Sequence, residues 1–416
     1  MVNVAVLGFG TVGSGVVEVI CNNMERLSKK AGKQVNIKYI LDIRDFSDHP
    51  QRHLFTKNIE DILKDDEVSV VVEVMGGVEP AYTFTKRALM AGKHVVTSNK
   101  ELVATHGTEL LSIAKEKNIN YMFEASVGGG IPIIRPIHQC LAANEIIEII
   151  GILNGTTNYI LTQMIKEGQS FEDALKNAQD KGYAERNPAA DVEGHDACRK
   201  IAILSSLAFG YEIDSEKLYT EGITKISLED VAYAEQMGSV IKLLGISRKV
   251  ENKVFARVSP MIISKNHPLA GVEDVFNAIL VKGNAVGDVM FYGRGAGKLP
   301  TASAVVADVI DSIKNINRNN GLFWLKSNED ILVDIEETYA TYFVRVKTDD
   351  QPAAKEVINK LLGNCSFIVI NNPAAVDEVA FVTSEKREKE LRAQLEQMND
   401  YPFISSIHSV IRVEKE

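Results

Sequence analysis

Short apolar runs alternate with helical stretches over the first 130 residues. The runs cover residues 2–7, 35–41, 68–74, 93–97 and 119–124. Such alternation predicts βαβ units with a parallel sheet, and the valine-rich run 68–74 suits a strand covered on both faces. We therefore predict an α/β chain whose first domain, residues 1–130, is a Rossmann-type nucleotide-binding domain.

The pattern changes after residue 131. Helical stretches at 157–167, 170–181, 196–209 and 228–244 mix with strand-like runs at 146–153, 253–263 and 275–281. This mixture predicts an α+β catalytic and dimerisation domain over residues 131–320, with its strands in an open sheet. The strand at 255–258 has little helical cover, and we expect it to complete an intersubunit sheet in a homodimer or homotetramer.

The last part of the chain, residues 335–416, shows strands and helices in the order βαββαβ. The predicted elements are 339–347, 352–362, 365–371, 376–383, 385–397 and 404–413. This order is typical of a ferredoxin-like unit. Polar residues at 316–330 mark the boundary that precedes it.

Composition limits the classes of protein and partner. The chain has 416 residues, of which 45% are hydrophobic and 25% charged, so two or three domains with real cores are expected. The net charge of −10 argues against nucleic acid and anionic membranes as partners. No apolar run approaches about 18 residues and no basic leader precedes the first strand, so we expect a cytoplasmic protein outside any membrane. The widely spaced cysteines suit reduced thiols: Cys21, Cys140, Cys198 and Cys365.

A glycine-rich turn follows the first strand directly, and a helix follows the turn. Its residues are Gly8, Phe9, Gly10, Thr11, Val12 and Gly13. In this context the GxGxxG spacing is a dinucleotide fingerprint, because the glycines make the turn, admit the pyrophosphate and allow close helix–strand packing. The helix N-terminus then holds the phosphate charge. A plain glycine turn is the alternative.

The second strand ends with both acidic and basic residues. Asp42, Arg44 and Asp45 follow one another closely at this strand end. An acidic residue there would hold the ribose hydroxyls of NAD, whereas an arginine would hold the 2′-phosphate of NADP. Arg44 favours NADP over NAD. The alternative that Arg44 and Asp45 are solvated turn charges stays open.

Residues 182–200 pack many ionisable groups into one loop and the start of one helix. Asp196 and Lys200 are four residues apart and share a face of a helix that continues as an apolar stretch to residue 209. An exposed pair would contribute only about 0.3–0.5 kcal/mol. A buried lysine beside one carboxylate can instead serve as an acid or base. Lys100 follows a strand at the position where open α/β sheets bind ligands.

Five segments, in this order, resemble the homoserine dehydrogenase family from residue 1 to about residue 320. They are GFGTVG at 8–13, TSNKE at 97–101, FEASVGGGIP at 123–132, NGTTNYI at 154–160 and GYAERNPAADVEGHDACRK at 182–200. The tail resembles an ACT domain, a small amino-acid-sensing module. The family reduces L-aspartate 4-semialdehyde to L-homoserine with NAD(P)H, on the route to threonine and methionine.

The resemblance implies a role for particular residues. Lys200 would be the acid/base and Asp196 its partner. The small-molecule substrate would be bound by Glu185, Asp191, Lys100, Gly182 and Thr156, although turn formation explains Thr156 equally well. The cofactor would be bound by Gly8, Phe9, Gly10, Thr11, Val12, Gly13, Arg44, Lys100 and Gly297. Gly297 belongs to a glycine-rich segment, 293–297, that would return to the cofactor as part of residues 293–320; a second phosphate-binding loop is the looser interpretation.

The resemblance also implies a site for a monovalent cation, with sodium as the first choice. Backbone carbonyls, together with the glutamate, would bind it at Glu124, Val127, Gly129 and Ile131. A glycine-rich turn that exposes carbonyl oxygens suits a hard cation. A bare strand-to-helix turn is the alternative.

Two other functions and several roles of the tail stay open. A semialdehyde dehydrogenase would need a cysteine nucleophile, and only Cys198 lies near the ionisable cluster. A non-catalytic dinucleotide sensor would need no catalytic loop. The tail would bind threonine as an effector, yet Ala353 stands where the sensing family has a glycine that admits close backbone approach. Weak threonine binding, another effector or a purely assembling role are the three alternatives.

Overall fold

The first strand, β1 (Val2–Leu7), is buried at every position and lies near the middle of a parallel sheet. The computed structural model describes residues 1–327, 330–370 and 376–414. The chain divides into two units. Residues 1–149, 202–217 and 279–330 form the first unit, and residues 150–201, 218–278 and 331–416 form the second.

The strands and helices have the following bounds. The strands are β1 (Val2–Leu7), β2 (Val35–Leu41), β3 (Phe55–Thr56), β4 (Val68–Glu73), β5 (His94–Thr97), β6 (Tyr121–Met122), β7 (Ile146–Ile152), β8 (Tyr219–Thr220), β9 (Ser239–Val250), β10 (Lys253–Ser264), β11 (Phe276–Gly283), β12 (Gly287–Arg294), β13 (Tyr339–Thr348), β14 (Ser366–Ile368), β15 (Glu378–Val382), β16 (Lys386–Arg387) and β17 (Ile404–Val413). The helices are α1 (Thr11–Ala31), α2 (Glu60–Leu63), α3 (Ala81–Met90), α4 (Lys100–Glu116), α5 (Gly155–Glu167), α6 (Phe171–Asp180), α7 (Ala189–Val192), α8 (His195–Phe209), α9 (Leu228–Gln236), α10 (Lys298–Lys314), α11 (Gln351–Leu362) and α12 (Glu388–Met398). Within the described ranges, none of these helices combines the length and the apolar character that crossing a membrane requires.

The first unit contains the predicted Rossmann-type sheet. Its strand order is β3-β2-β1-β4-β5-β6, and every neighbouring pair is parallel. Leu7 pairs with Leu41 on one side and with Glu73 on the other, and Glu73 pairs with Thr97. The carboxyl ends of β1, β2, β4 and β5 therefore meet at one edge, where parallel sheets of this kind bind ligands.

Helix α10 shares a hydrophobic core with the glycine-loop half of this sheet. Val305 and Val309 of α10 belong to the same buried cluster as Val16 and Ile20 of α1. The two helices approach so closely that a methyl group at Gly15 would lie 2.9 Å from the Lys298 carbonyl oxygen. Packing of apolar faces thus places the start of α10 beside α1.

The second unit is built on long antiparallel strands. β9 and β10 pair without interruption, from Ser239 opposite Ser264 to Val250 opposite Lys253. The neighbours in its sheet run in the order β11-β7-β9-β10-β17-β13-β15-β14, and β7 and β11 are divided between the two units. The middle of the chain was predicted to form an open sheet of its own, whereas its strands share one mixed sheet with those of the tail.

The tail forms the predicted βαββαβ unit, and its sheet continues that of β10. Its four main strands stand in the order β17-β13-β15-β14, which is 4-1-3-2 along the chain. β17 also pairs in parallel with β10, with Met261 opposite Arg412. The tail is therefore joined to the rest of the second unit by backbone hydrogen bonds as well as by side chains.

Three sequence predictions need correction. The helix predicted over 228–244 ends at Gln236, because Gly238 has a positive φ of 65° and the following residues pair as β9. The strand predicted over 365–371 spans Ser366–Ile368, and residue 371 lies outside the described residues. β12 was not predicted at all; as an edge strand with many exposed positions it lacks a clear apolar pattern.

The stretch 255–258 is not an open edge. β9 borders it on one side, with Phe255 opposite Arg248, and β8 borders it on the other, with Val258 opposite Thr220. The expectation that this strand completes an intersubunit sheet is therefore wrong. The homodimer or homotetramer itself stays a prediction.

Candidate active site

The glycine loop between β1 and α1 is shaped by backbone contacts. A methyl group at Gly13 would lie 1.9 Å from the Gly8 carbonyl oxygen, and Gly8 itself has a positive φ of 96°. Gly10, in contrast, has nothing within 4 Å of the position of a methyl group, and its lack of a side chain leaves the start of α1 without a side-chain cap. Two glycines are therefore required by the fold, and the third keeps an open face beside helix N–H groups that can bind phosphate.

Asp42, at the end of β2, is tied to this loop. Its carboxylate accepts a 2.8 Å hydrogen bond from the Phe9 N–H. Arg44 donates to both carboxylate oxygens, from Nε at 2.9 Å and from Nη2 at 2.7 Å. This two-bond pairing with Arg44 holds the pKa of Asp42 well below its usual range. The negative charge therefore stays in place and fixes the β2 end against the glycine loop.

A pocket opens at the same strand end. It is lined by Asp42, Arg44, Asp45, Phe46, Ser47, Arg52, Phe55, Thr56 and Lys57. Phe9 of the glycine loop packs edge-on against Phe46 and Phe55, with ring centroids 5.2 and 5.0 Å away. Arg52 and Lys57 escaped the sequence analysis, since they lie in an irregular segment where no spacing links them to Arg44.

The ends of β4 and β5 are joined by a buried carboxyl group. Glu73 is inaccessible to solvent, and its two oxygens accept hydrogen bonds from the Met75 N–H (2.7 Å) and the Thr97 hydroxyl (2.6 Å). Burial raises the pKa of Glu73. Asn99 then caps α4, whose first residue is Lys100. Lys100 thus stands at the ligand-binding edge of the sheet, as predicted.

The Glu124 side chain has a structural role besides the cation-binding role predicted for it, which stays a prediction. Its carboxylate accepts hydrogen bonds from the backbone N–H groups of Ile133 (2.5 Å), Ile134 (2.7 Å) and Arg135 (2.9 Å). Its own N–H donates to buried Asp308. The carboxylate therefore stabilises the start of the short π-helix at Pro136–Cys140.

The backbone of the same turn still suits a cation. None of the described backbone N–H groups outside the helices and strands donates to the carbonyl oxygens of Glu124, Val127, Gly129 or Ile131. Within the described residues, no cluster of three or more histidine, cysteine or acidic side chains could hold a metal ion. Any cation here would consequently be bound by main-chain oxygens, which suits a hard ion of low charge.

The segment before α10 lies against this turn. The Gly130 N–H donates to the Arg294 carbonyl at 3.1 Å, and a methyl group at Gly129 would lie 2.3 Å from the Gly295 carbonyl oxygen. Gly297 follows as the N-cap of α10, with a φ of 125°. Lys298, the next residue, lies against Gly15 of α1, so this segment reaches the helix that follows the glycine loop. The contact of Gly297 with the cofactor stays a prediction.

In the second unit, Lys200 and Asp196 form a buried ion pair. Lys200 Nζ lies 2.6 Å from Asp196 Oδ2, and the two side chains are only 10% and 5% exposed. Nζ also donates to the Leu153 carbonyl at 2.8 Å. The structure therefore excludes the interpretation as an exposed helix pair. A buried lysine that donates to a carboxylate and to a carbonyl is suited to proton transfer.

Asn154 connects this pair to a second carboxylate. Its amide nitrogen donates to Asp191 at 2.7 Å and to Asp196 at 2.8 Å. The sequence analysis did not select Asn154 as a site residue. The sequence signals were its position as a helix N-cap, which also explains an asparagine without any function, and its place at the start of the NGTTNYI segment.

The remaining predicted substrate residues lie on two loops. The Thr156 hydroxyl donates to the Tyr183 carbonyl at 2.7 Å, which brings Thr156 beside Gly182, a turn residue with φ of 73°. Glu185 is exposed, and its carbonyl accepts a hydrogen bond from the Gln179 side chain. The structure thus brings together Lys200, Asp196 and Asp191 through Asn154, and Thr156 with the Gly182 turn, whereas the Glu185 side chain stays outside these contacts.

Two family models match the chain. Residues 132–310 match the homoserine dehydrogenase model, and residues 8–124 match the model of the NAD-binding domain of homoserine dehydrogenase. The second match contains the glycine loop and the first contains Asn154, Asp196 and Lys200.

Named relatives match nearly the whole chain. A homoserine dehydrogenase of Synechocystis sp. is 41% identical over 99% of each chain. The crystal structure of a homoserine dehydrogenase from Thiobacillus denitrificans is 37% identical and superimposes with a TM-score of 0.91 over 100% of this chain and 98% of that one. A hyperthermophilic archaeal homoserine dehydrogenase in complex with NADPH is 30% identical, with a TM-score of 0.64 over 75% of this chain and 97% of that one.

Proposed function

The chain belongs to the homoserine dehydrogenase family, and from this premise we propose how its residues perform the reversible oxidation of L-homoserine to L-aspartate 4-semialdehyde. The observation that carries the proposal is the buried pair of Lys200 and Asp196. An acid/base is what the interconversion of a hydroxyl and a carbonyl group requires, and the pair supplies one in a place shielded from water.

In the oxidation, Lys200 takes the proton of the substrate hydroxyl, and in the reduction it returns this proton to the developing alkoxide. Asp196 holds Nζ in place at 2.6 Å and stabilises the ammonium form. The Leu153 carbonyl accepts a second hydrogen bond from Lys200 Nζ and so helps to orient the amine. A bound nicotinamide cofactor would supply the hydride chemistry, with its oxidised form as the acceptor for the oxidation and its reduced form as the donor for the reverse reaction.

Further residues are proposed to bind the substrate. We assign binding of its amino and hydroxyl end to Asp191 and Glu185, with Thr156, Gly182 and Lys100 as further contacts. Asp191 is supported by its link through Asn154 to the pair. Thr156 and Gly182 are supported by the hydrogen bond from the Thr156 hydroxyl, in the first turn of α5, to the carbonyl of Tyr183, the residue after Gly182.

The assay that tests the proposal follows absorbance of the reduced nicotinamide with L-homoserine as substrate. We expect activity to survive alkylation of the cysteine thiols, because Cys198, the cysteine nearest the pair in sequence, is only 4% exposed and the proposed reaction has no covalent intermediate. Loss of activity in proportion to thiol modification would favour an aldehyde-oxidising enzyme with a cysteine nucleophile. Absence of any homoserine-dependent change would favour a dinucleotide sensor.

We propose NADP as the preferred cofactor. The pocket at the β2 end contains three cationic side chains, Arg44, Arg52 and Lys57, where a Rossmann-type fold holds the adenosine ribose. Asp42 is already engaged by the Phe9 N–H and by Arg44, so it is poorly placed to hold ribose hydroxyls as in an NAD site. The glycine loop, Thr11 and Val12 would hold the pyrophosphate at the start of α1.

Replacing Arg44 with alanine is expected to raise the KM for NADP by about tenfold or more and the KM for NAD by less than about twofold, since a charge-assisted phosphate contact contributes about 1.5–3 kcal/mol. Steady-state kinetics with each cofactor at saturating L-homoserine measures the ratio. Lys57→Ala is the matched variant and should shift the ratio in the same direction. Equal effects on both cofactors would show that Arg44 pairs with Asp42 and does not select NADP.

We propose a structural monovalent cation, sodium first, at the main-chain oxygens of Glu124, Val127, Gly129 and Ile131. The carbonyl oxygens without N–H partners support it, and the contact of this turn with Gly295 explains how a cation would stabilise the region before α10. The thermal midpoint should rise with NaCl more than with tetramethylammonium chloride at equal ionic strength. Equal midpoints in the two salts would refute the site.

We propose that the tail is an ACT-like regulatory domain that responds to an amino acid, with threonine as the first candidate. Its βαββαβ order and its 4-1-3-2 sheet support this. Arg345 of β13 pairs with Asp230 of α9, whose side chain is fully buried, so the tail is ionically coupled to its own unit. At the start of α11 the Asp350 carboxylate accepts from the Ala353 N–H at 3.0 Å, and a ligand at this helix end would compete with that cap.

L-threonine at millimolar concentration is expected to inhibit the full chain, and Ala353→Gly should strengthen the inhibition without changing basal activity, because glycine admits closer backbone approach. Initial rates with L-threonine and D-threonine measure this. Deleting the tail is a poor alternative, since β17 pairs with β10 and buried Arg412 of the tail donates to Glu221 at 3.0 Å. If neither protein responds to L-threonine, the regulatory proposal fails.

A further inference from the structure

The side-chain amide of Asn154 bridges two carboxylates of the candidate active site. Nδ2 donates to Asp191 Oδ1 at 2.7 Å and to Asp196 Oδ2 at 2.8 Å, and the residue is only 6% exposed. The same Asp196 oxygen accepts from Lys200 Nζ at 2.6 Å. One carboxylate oxygen thus receives both the amide and the lysine.

The other end of the same amide is also fully engaged. Oδ1 accepts from the Thr157 N–H at 2.9 Å and from the Thr157 hydroxyl at 3.1 Å, which caps α5. An asparagine side chain has two donor hydrogens and two acceptor lone pairs. Both hydrogens are used here, and the oxygen accepts the Thr157 N–H and shares the Thr157 hydroxyl hydrogen with the main-chain carbonyl of Asn154. The amide therefore has a single orientation, because a flip would place its oxygen against two carboxylates.

The neutral amide of Asn154 reduces the repulsion between the carboxylates of Asp191 and Asp196. Asp191 lies on α7 and Asp196 on α8, and two carboxylates held close together repel each other. The amide supplies a hydrogen to each without adding a net charge that would alter the protonation of Lys200. The described contacts bring the charged groups of Asp191, Asp196 and Lys200 together at this point.

We propose that Asn154 is a positioning residue of the reaction. It holds the substrate-binding carboxylate of Asp191 at a fixed separation from the Lys200–Asp196 pair, so that a hydroxyl bound at the first is presented to the amine at the second. This inference rests on the proposed function, since it takes Lys200 as the acid/base. It assigns the cap of α5 a second purpose, which is to connect the substrate loop to the proton-transfer pair.

Two substitutions separate position from charge. Asn154→Ser retains a good helix cap but cannot reach both carboxylates, so kcat/KM for L-homoserine should fall by about tenfold to a hundredfold, as small misplacements of reacting groups do. Asn154→Asp also retains the cap but adds a third carboxylate. Its kcat/KM should fall by the same factor. In addition, the acidic limb of the plot of kcat/KM against pH should move to higher pH by about one unit, because a negative neighbour favours the protonated form of Lys200.

Asn158→Asp is the matched control, one turn further along α5. The Asn158 amide donates to the carbonyls of Val272, Asp274 and Phe276, all outside the proton-transfer pair. This variant should lower the thermal midpoint yet leave the pH limb in place. In all variants the KM for NADP and the thermal midpoint are measured beside the rates.

Each outcome of these measurements supports the proposal, overturns it, or overturns the proposed function. The proposal is supported by three results together. The value of kcat/KM falls in both Asn154 variants, the KM for NADP is unchanged, and the acidic limb of the pH profile shifts in Asn154→Asp alone. Rates within about twofold of the unmodified protein, or a limb that moves equally in Asn158→Asp, would overturn it. If the unmodified protein does not oxidise L-homoserine, the proposed function fails instead, and this is seen before any variant is made.

Discussion

Replacing Lys200 with alanine should lower kcat for L-homoserine oxidation by about 10²–10⁴-fold, because positioned proton transfer contributes that much. The Lys200 amine donates to Asp196, which also accepts from Asn154, and to the Leu153 carbonyl. The KM for NADP should stay within about twofold of its original value, since the residue acts on the substrate proton. Steady-state rates with the substrate and the cofactor varied in turn measure both effects.

A loss of activity in Lys200→Ala has to be distinguished from a loss of folding stability. Removing one partner of a buried ion pair commonly costs about 3–5 kcal/mol of folding stability. Lys200→Arg keeps the positive charge beside Asp196 but cannot release its proton near neutral pH, so it should be as inactive as the alanine variant while unfolding at a higher temperature. A fall in kcat of less than about tenfold in Lys200→Ala would show that Lys200 is not the acid/base.

A second buried lysine offers the matched control. Lys242 is 2% exposed, and burial lowers its pKa to about 8. It donates to the Val272 carbonyl and to Asn158 rather than to a carboxylate. Lys242→Met removes a buried charge of the same kind and should retain kcat within about threefold. An equal loss in both lysine variants would point to general destabilisation.

The second large effect concerns the glycine loop. Gly13→Ala should abolish cofactor binding and lower the thermal midpoint, because its methyl group would lie 1.9 Å from the Gly8 carbonyl oxygen and force the β1–α1 turn apart. Gly10→Ala should keep the midpoint unchanged, since nothing lies within 4 Å of the added methyl group. It should nevertheless raise the KM for NADP by about tenfold or more, because the methyl group occupies the approach of the pyrophosphate.

Thermal unfolding without cofactor and titration with NADPH distinguish the two variants. The pair tests whether the loop binds the dinucleotide or only makes a turn. If Gly10→Ala binds NADPH as well as the unmodified protein does, the open face at Gly10 is not the pyrophosphate site. If Gly13→Ala is as stable as the unmodified protein, a small backbone shift relieves the close contact with Gly8, and this contact does not contribute to stability.

The sequence alone predicted those features that depend on neighbours along the chain. The glycine loop was recognised because Gly8, Gly10 and Gly13 stand between an apolar strand and a helix start. The pair of Asp196 and Lys200 was recognised because residues four apart share a helix face. The βαββαβ order of the tail followed in the same way from alternating periods of the apolar positions.

Tertiary structure decided what depends on contacts between distant segments. Asn154 bridges Asp191 and Asp196, which lie 37 and 42 residues away in the chain, and no local spacing encodes such a contact. The parallel pairing of β17 with β10 likewise joins residues about 150 positions apart and makes the tail part of a larger sheet. Short-range pattern reflects local backbone preference and burial, whereas the partner of a buried polar group is chosen only when the whole chain has packed and each donor must find an acceptor.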